Sequence, residues 1–399
     1  MPLPATGFAI ATITNPGSAL TDFSLMVDLS RMPASWWSAV DTTDGTRGRA
    51  ATGAGVELAC DWLDFNDSAE TGWLRVKWSG TLAASGTQQL RIYPPSAGNS
   101  AVAAGDTYGR HNAYDASWAG YYPEGGAVSV DRTANAHNLT INTAYSGTTG
   151  PVGAATIHPG TTGYYAYSNN SGLYNLPTTY DFTVLLWASP DVAAVDKAAF
   201  AFEGTDDVVF CPNDTALGSG GVRVFWRDLG GNIINENGSS VAGSWHHYGL
   251  RSQASNDHGV FRDGAEVLTS AATGSAGPFS GFHLGAFVVN SQNFDGNIQE
   301  VQVHADARSD DWVAQEYDQT SDQAAFWGTW AWDPGLTHYT IDAASGTLTL
   351  TGQAAGLAAD RVVAAAAGSV ALAGQATGLS AARVLQAASG ALTASGAAT

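Results

Sequence analysis

The sequence is poor in several features, and each shortage excludes a class of protein. It contains two cysteines, Cys60 and Cys211, which are too few for a disulfide framework and lack the spacing of a zinc site, so we expect two free, buried thiols. No apolar run approaches the roughly 20 residues of a membrane-spanning helix, so we expect no membrane insertion. Residues 1–6 show neither the basic nor the apolar stretch of a secretory signal, and we expect synthesis in a cytoplasm without a signal peptide.

Positive charge is also scarce. The chain has 16 Lys+Arg against 36 Asp+Glu, a formal net charge of −20, and its lysines are Lys77 and Lys197. Binding to nucleic acid depends on cations that neutralise phosphates, and anionic membrane surfaces attract the same cations. We therefore expect no nucleic acid partner and no attachment to an anionic membrane surface.

Glycine and aromatic residues, in contrast, are abundant. The chain has 47 Gly, 13 Trp, 14 Tyr and 14 Phe, which is enough apolar side chain to build large cores. Short alternating runs bounded by Gly, Pro, Asn and Asp replace helical periodicity. This pattern predicts an all-β protein, and 399 residues predict more than one domain.

The runs divide the chain into four parts. Residues 1–100 predict a small β-sandwich whose core includes Trp36 and Trp37, and residues 101–113 read as a linker. Residues 114–333 have the length and strand pattern of one large antiparallel jelly roll. One helix is expected near its end, where Ser309 is a good N-cap and is followed by two acidic residues. Residues 334–399 form a repetitive tail.

The tail has no aromatic residue after Ile341, and its glycines recur every 22 residues, as in Gly346, Gly368 and Gly390. Such repeats cannot bury an apolar face singly, so they stack on one another or on copies from other chains. The alternating stretches 347–351 and 369–373 favour short strands over the alternative, a flexible Gly/Ala linker. We expect the tail to drive oligomerisation, as a trimer, through the apolar side chains Leu348, Leu350, Leu357, Val370, Leu372 and Leu379.

Two stretches resemble known domains. Residues 58–67, 71–78 and 90–93 resemble DUF2341, a small β domain of undefined function that is often found ahead of a lectin-like module. Residues 182–187, 244–251, 260–267 and 294–304 are similar to the laminin-G-like, concanavalin A-like jelly roll, with its Phe-Thr-x-x-x-Trp, Gly-x-Trp-His-His, Asp-Gly and Phe-x-Gly-x-Ile-x-Glu-Val segments in order. The second resemblance implies a lectin-like fold.

The tail repeats resemble those at the ends of bacteriophage virion proteins, particularly fibres and other surface structures. This resemblance implies a virion component with other virion proteins as partners. It leaves open an exported bacterial glycan-binding adhesin or lectin-like module on a cell surface.

The sequence gives little support to an enzyme. Concanavalin A-like glycoside hydrolases carry Glu-x-Asp-x-x-Glu on one strand, so that alternate carboxylates face the substrate, and this motif is absent. The run 203–207 has the wrong spacing and reads as a loop. Neighbouring His246 and His247 point to opposite faces of a strand, which favours structural roles over a shared metal ion. We therefore expect a non-enzymatic protein without a cofactor, and keep a glycoside hydrolase as the least favoured reading.

Two kinds of binding residue stand out. Carbohydrate recognition uses aromatic faces and polar planar groups, and loop-like clusters supply both, although the same residues also suit packing or a subunit interface. The candidates are Trp118, Tyr121, Tyr122, Tyr164, Tyr165, Tyr167, Asn169 and Tyr174. A structural calcium ion is the one metal worth testing, with loop aspartates Asp131, Asp206, Asp207 and Asp295 as candidate ligands, although solvated turn aspartates are the favoured interpretation. Asp263 with Gly264 is better explained as a hairpin turn.

Together these observations predict a bacteriophage surface protein: a fibre, spike or decoration protein that attaches to the particle at one end and displays a jelly roll that binds a host glycan.

Overall fold

The structure is a computed structural model, and it describes residues 3–4, 7–15, 17–84, 87–123, 130–168, 181–191, 197–204, 207–214, 221–226, 233–235, 241–253, 257–270, 279–287 and 292–335, with five backbone strands of the tail. The chain forms two compact units. The first comprises Met1–Pro4 and Ala9–Trp332, and the second comprises Ala5–Phe8 and Asp333–Thr399. Almost every described element is a strand, which confirms the all-β prediction. No helix in the described ranges is long and apolar enough to cross a membrane.

The small N-terminal sandwich has two main sheets. Its strands are β1 (Phe8–Thr14), β2 (Leu20–Thr21), β3 (Ser24–Asp28), β4 (Arg49–Thr52), β5 (Glu57–Leu58), β6 (Cys60–Asn66), β7 (Thr71–Lys77), β8 (Thr81–Leu82) and β9 (Thr87–Tyr93). With β25 (Ala331–Asp333), they form a five-stranded sheet, β25-β1-β9-β4-β5, a three-stranded sheet, β3-β7-β6, and the pair β2-β8. The predicted core position of Trp36 and Trp37 is confirmed: both are buried, on the short helix α1 (Ala34–Trp37).

The jelly roll is built from the next fifteen strands. They are β10 (Trp118–Tyr122), β11 (Thr140–Ile141), β12 (Ser146–Gly150), β13 (Gly153–Pro159), β14 (Ala166–Ser168), β15 (Phe182–Pro190), β16 (Phe200–Gly204), β17 (Val208–Asp214), β18 (Gly221–Trp226), β19 (Ile233–Asn235), β20 (His246–Gln253), β21 (Asp257–Arg262), β22 (Ala265–Ser270), β23 (Phe279–Leu284) and β24 (Asp295–His304). One sheet is eight-stranded, β12-β13-β24-β15-β20-β21-β22 with β10 on β24, and the other is seven-stranded, β11-β14-β23-β16-β17-β18-β19.

The jelly-roll core lies between these two sheets. Alternate residues of each strand point inward, because side chains alternate faces along a strand. On the eight-stranded sheet Val184 and Leu186 point inward, and on the seven-stranded sheet Phe200 and Phe202 meet them in one buried cluster. The predicted turn at Asp263 is confirmed: Asp263 and Gly264 have φ of 51° and 77°, the left-handed pair that a two-residue hairpin loop requires.

The eight-stranded sheet is buried on its other face as well. Trp118, Tyr121, Leu185 and Trp187 on this face belong to the same hydrophobic cluster as the core of the N-terminal sandwich. All nine residues of β15 are consequently buried. The two sandwiches thus share one continuous apolar seam, and the segment that the sequence suggested as a linker packs along it, with the short 3-10 turn Arg110–Ala113 ending next to buried Tyr114.

Helix α2 (Asp310–Ser321) closes the seam, and the short helix α3 (Gln323–Phe326) follows it. The predicted N-cap is confirmed, because Ser309 accepts a hydrogen bond from the backbone N–H of Trp312 at 3.2 Å. Gln319 accepts from the Met26 N–H at 2.7 Å and donates to the Ser24 carbonyl at 2.9 Å. These bonds satisfy the free edge of β3, which would otherwise expose unpaired backbone groups.

A buried charge cluster lies in the seam. The Arg75 guanidinium on β7 is 2.9 Å from Glu300 on β24 and 2.6 Å from Glu316 on α2, and all three side chains are 2% exposed or less. The Tyr121 hydroxyl donates to the Glu300 carboxylate at 2.6 Å. Glu300 reaches this face because β24 bulges there: its φ is 53°, and the register with β15 shifts beside it.

The tail repeats stack on one another. Its described strands are β26 (Gly346–Thr351), β27 (Val363–Ala365), β28 (Gly368–Ala373), β29 (Leu385–Ala387) and β30 (Leu392–Ser395). They form two parallel sheets, β26-β28-β30 and β27-β29, and Gly346 pairs with Gly368 as Val370 pairs with Leu392. The 22-residue sequence period is therefore also the period of the stack. Leu348 and Leu350 pair with Val370 and Leu372, whereas Leu357 and Leu379 lie outside the described residues.

Candidate functional site

The outer face of the seven-stranded sheet carries one row of side chains across five strands. Tyr167 on β14 pairs with His283 on β23, His283 with Ala201 on β16, Ala201 with Val209 on β17, and Val209 with Phe225 on β18. Because each is out of phase with the inward-pointing phenylalanines, all five lie on the outer face. A half-buried aromatic ring therefore stands at each end of a row whose centre is apolar.

One end of the row is polar. The Tyr167 ring stacks on the His283 ring with centroids 6.2 Å apart and an interplanar angle of 14°. His283 Nε2 lies 2.9 Å from the Glu203 carboxylate; the His283 side chain is fully buried, whereas that of Glu203 is 39% exposed. We refer to Tyr167, His283 and Glu203 as the outer-face triad.

The local backbone explains how the triad forms. Glu203 faces Gly281 across the pair β16-β23, and a Cβ on Gly281 would lie 3.4 Å from the Glu203 carboxylate and 2.9 Å from the Ser168 carbonyl. The missing side chain at Gly281 leaves the space through which Glu203 reaches His283. The segment Phe282-His283-Leu284 alternates apolar and polar residues, and this alternation is the signal that places His283 outside the core that contains Phe282 and Leu284.

The prediction of a sugar-binding role is wrong for three of the candidate residues. Trp118, Tyr121 and Tyr122 are not in a loop but on strand β10, and each is at most 1% exposed. Trp118 and Tyr121 lie in the seam with the N-terminal sandwich, and Tyr122 lies in the jelly-roll core. A buried ring cannot stack on a sugar, so these aromatics serve packing, the alternative that their residue types also allowed.

The outcome of the sugar-binding prediction differs among the remaining candidates, Tyr164, Tyr165, Tyr167, Asn169 and Tyr174. Tyr167 is half-buried and joins the outer-face triad, while Tyr165 is buried beside it with ring centroids 5.5 Å apart. Tyr164 packs against the jelly-roll core. Asn169 and Tyr174 lie outside the described residues.

Among the described residues, the predicted calcium ligands do not form a metal site of three or more side chains. Asp131 is buried and accepts hydrogen bonds from the backbone N–H groups of Tyr121, Thr133 and His137 and from the Thr133 hydroxyl, at 2.8–3.1 Å. This carboxylate organises its own loop. Asp207 accepts from the Gly204 N–H at 3.1 Å, Asp295 opens β24, and Asp206 lies outside the described residues. In the ranges that the structure describes, no three His, Cys, Asp or Glu side chains form a metal site.

The two adjacent histidines behave as strand neighbours should. His246 Nδ1 lies 2.6 Å from the turn carboxylate of Asp263, whereas His247 is buried against Trp187 and Tyr317 in the seam. Burial lowers the pKa of His247 to about 4, and Glu316 and Asp263 oppose that shift. The structural roles expected for both histidines are confirmed, as is the expectation of two free, buried cysteines.

Residues 159–314 match a protein-family model described as the concanavalin A-like lectin/glucanases superfamily. No curated protein sequence matches the chain. Similar solved structures include domain 4 of AbnA, an extracellular arabinanase of Geobacillus stearothermophilus, in complex with arabinotriose, at 17% identity and a TM-score of 0.37, covering 48% of this chain and 98% of that one. The binding domain of botulinum neurotoxin serotype D is similar at 9% identity and a TM-score of 0.39, covering 51% of each chain.

A heptameric SAP-like pentraxin from Limulus polyphemus is similar at 15% identity and a TM-score of 0.32, covering 40% of this chain and 78% of that one. The family match, which runs from the end of β13 into helix α2, agrees with the two antiparallel sheets of the jelly roll. Over residues 159–314 the chain is therefore similar in sequence to the concanavalin A-like lectin/glucanases superfamily, and it has a lectin-like jelly-roll fold.

Proposed function

We propose that this protein is a non-enzymatic surface component of a bacteriophage particle that binds a host glycan through its jelly roll. The observation that carries the glycan proposal is the outer-face triad, in which an aromatic ring, an imidazole and an accessible carboxylate meet at one end of the seven-stranded sheet. The lectin-like fold supports the same class of ligand.

The triad has the groups that a saccharide needs. The accessible part of the Tyr167 ring offers an apolar surface for the face of a sugar, and the Glu203 carboxylate accepts hydrogen bonds from sugar hydroxyls. The fully buried His283 side chain contacts that carboxylate from the protein interior and so fixes its position. A preformed arrangement of this kind loses little entropy when a ligand binds.

Glycan arrays probed with the intact protein test this proposal. Tyr167→Ala should weaken glycan binding at least tenfold, because it removes the stacking surface, while Tyr167→Phe should retain most of it. Phe225→Ala, which removes the half-buried ring at the opposite end of the same row, is the matched control. Equal binding by Tyr167→Ala and the parent, with both folded by circular dichroism, would refute the triad as the glycan site.

Release of reducing sugar from host polysaccharide would show a hydrolase and contradict the non-enzymatic part of the proposal. The proposal expects none, since a glycosidase needs two carboxylates across the bond to be cleaved, and the strand motif that supplies them in this fold is absent.

We further propose that the tail assembles or attaches the protein, through its stacked 22-residue strands. Light scattering should give an oligomer, expected to be a trimer, for the full chain and a monomer for a chain that ends at Asp333. Equal masses would remove the tail from assembly. Recovery with purified phage particles supports the virion setting, whereas recovery from an exported bacterial fraction supports the adhesin.

A further inference from the structure

A cleft of about 400 Å³ opens in the N-terminal sandwich, away from the jelly-roll sheet that carries the triad. Its floor is Leu58 and Ala59, where the chain leaves the five-stranded sheet to enter the three-stranded one. Polar groups surround this floor: Glu57, Lys77, Ser79, Thr107, Tyr108 and Asn112. The volume lies within the 300–1,000 Å³ of small-molecule sites, at the size of one or two sugar rings.

Backbone hydrogen bonds fix the walls of the cleft. The Cys60 N–H donates to the Tyr108 carbonyl at 3.2 Å, and the Lys77 N–H donates to the Ala59 carbonyl at 3.0 Å. The far wall turns at Gly109, where a Cβ would lie 2.1 Å from the Ala103 carbonyl, so no other residue fits that turn. The cleft is therefore a preformed feature of the fold.

The charges in the cleft are unevenly compensated. Glu57 Oε1 lies 3.3 Å from Arg49 Nε, and both side chains are at most 6% exposed. The Glu57 carboxylate therefore already has an ion-pair partner inside the protein. In the described part of the chain no ion pair or side-chain hydrogen bond engages Lys77. A protein with a net charge of −20 thus presents one of its two lysine ammonium groups, which has no partner among the described residues, to a polar cleft.

From this geometry we propose that the cleft binds an acidic saccharide unit, a uronic or sialic acid, as a second binding site independent of the outer-face triad. The Lys77 ammonium pairs with the sugar carboxylate. The hydroxyls of Ser79 and Thr107 and the amide of Asn112 hydrogen-bond sugar hydroxyls, and Ala59, which is less buried than Leu58, contacts the apolar face of the ring. The ligand carries the negative charge because the only charge left without an internal partner in the cleft is positive.

The two lysines make the test direct. Reductive methylation of the intact protein with ¹³C-formaldehyde labels Lys77, Lys197 and the terminal amine and keeps their charges, and Lys77→Met and Lys197→Met assign the two lysine signals. Titration with sodium glucuronate and with N-acetylneuraminate should shift the Lys77 signal saturably, with a dissociation constant of about 1 mM for a single sugar. The Lys197 signal should not move, and glucose should have no effect.

Calorimetry on the unlabelled protein completes the test. Lys77→Met should weaken binding of the acidic sugar at least tenfold and Ser79→Ala several-fold, whereas Lys197→Met and Tyr167→Ala should bind as the parent does. Tighter binding of an oligouronate than of the monomer would identify a polysaccharide as the source of the ligand. Absence of any saturable shift, or an equal shift with acetate at the same ionic strength, would overturn the proposal while leaving the triad untested by it.

Discussion

The two outer faces of the jelly roll carry similar kinds of side chain but differ in how far those side chains are exposed. On the eight-stranded sheet Trp118 and Tyr121 are covered by the N-terminal sandwich, and a cluster of buried charges lies among them. On the seven-stranded sheet the centre of the row, His283, Ala201 and Val209, is also buried, whereas Tyr167 and Glu203 at its polar end stay partly exposed. Aromatic and charged residues therefore do not by themselves distinguish a binding face from a packing face. What distinguishes the two faces is that side chains at the end of the seven-stranded row stay partly exposed, whereas Trp118 and Tyr121 are buried.

The two faces differ most in how much stability their charged side chains contribute. Arg75 forms ion pairs with two buried acidic side chains, Glu300 and Glu316, so its removal leaves both without this partner inside the seam. Arg75→Met should lower the free energy of unfolding by about 3–5 kcal/mol, the usual cost of breaking a buried ion pair from one side. On the seven-stranded sheet, where the Glu203 side chain is 39% exposed, Glu203→Gln should change it by less than ~1 kcal/mol. Chemical denaturation of both variants measures the difference.

A compensating variant shows whether the loss comes from unpaired charge. Arg75→Met combined with Glu300→Gln and Glu316→Gln removes the stranded carboxylates and should recover part of the stability. If Arg75→Met unfolds at the same denaturant concentration as Glu203→Gln, the two faces do not differ in the way that their burial indicates.

Local features were predictable because their causes are local. The helix cap at Ser309 and the turn at Asp263 each depend on a few adjacent residues, and the 22-residue tail period appears directly in the glycines. The seam depends on residues far apart, since Arg75 and Glu300 are 225 positions apart and no sequence pattern couples them. The unbroken apolar run of β15 was the available signal, because a strand buried on both faces loses its alternation.

The hydroxyl groups of two tyrosines offer a finer comparison. The Tyr121 hydroxyl donates to the Glu300 carboxylate in the seam, so Tyr121→Phe leaves a buried acceptor short of a donor and should cost about 1–3 kcal/mol of unfolding free energy. Tyr167→Phe removes the same group from a partly exposed side chain and should stay within ~0.5 kcal/mol of the parent. Thermal and chemical unfolding of the pair give both values. A loss for Tyr167→Phe as large as that for Tyr121→Phe would contradict the partial exposure of Tyr167.

The covered face also contains groups whose protonation changes on unfolding. Burial lowers the pKa of His247 to about 4 and that of His304 well below its usual range, the latter with help from Arg308 and Arg75. Elsewhere in the jelly roll burial lowers the pKa of His158 to about 3. Burial raises the pKa of Glu300 to about 7, although Arg75 opposes the shift.

The buried histidines and Glu300 change the stability of the fold in opposite directions as the pH falls. Below pH 6.5 the unfolded chain protonates histidines that the folded chain keeps neutral, so each buried histidine makes the fold less stable as pH falls. Between pH 7 and 4.5 folded Glu300 holds a proton that the unfolded chain releases, so acid stabilises the fold at this one position. Three histidines outweigh one glutamate, and the free energy of unfolding should fall between pH 6.5 and 5.

Glu300→Gln separates the two effects with the smallest change in shape. Without Glu300, whose protonation stabilises the fold, the fall should steepen by about 1.4 kcal/mol per pH unit between pH 6.5 and 5. His247→Gln should make the fall shallower by a similar amount, because one proton fewer is taken up on unfolding. Denaturation midpoints at four pH values in this interval measure all three slopes. If Glu300→Gln has the slope of the parent, Glu300 is ionised in the folded protein throughout this interval, and Arg75 compensates the buried charges of the seam more fully than the desolvation of Glu300 implies.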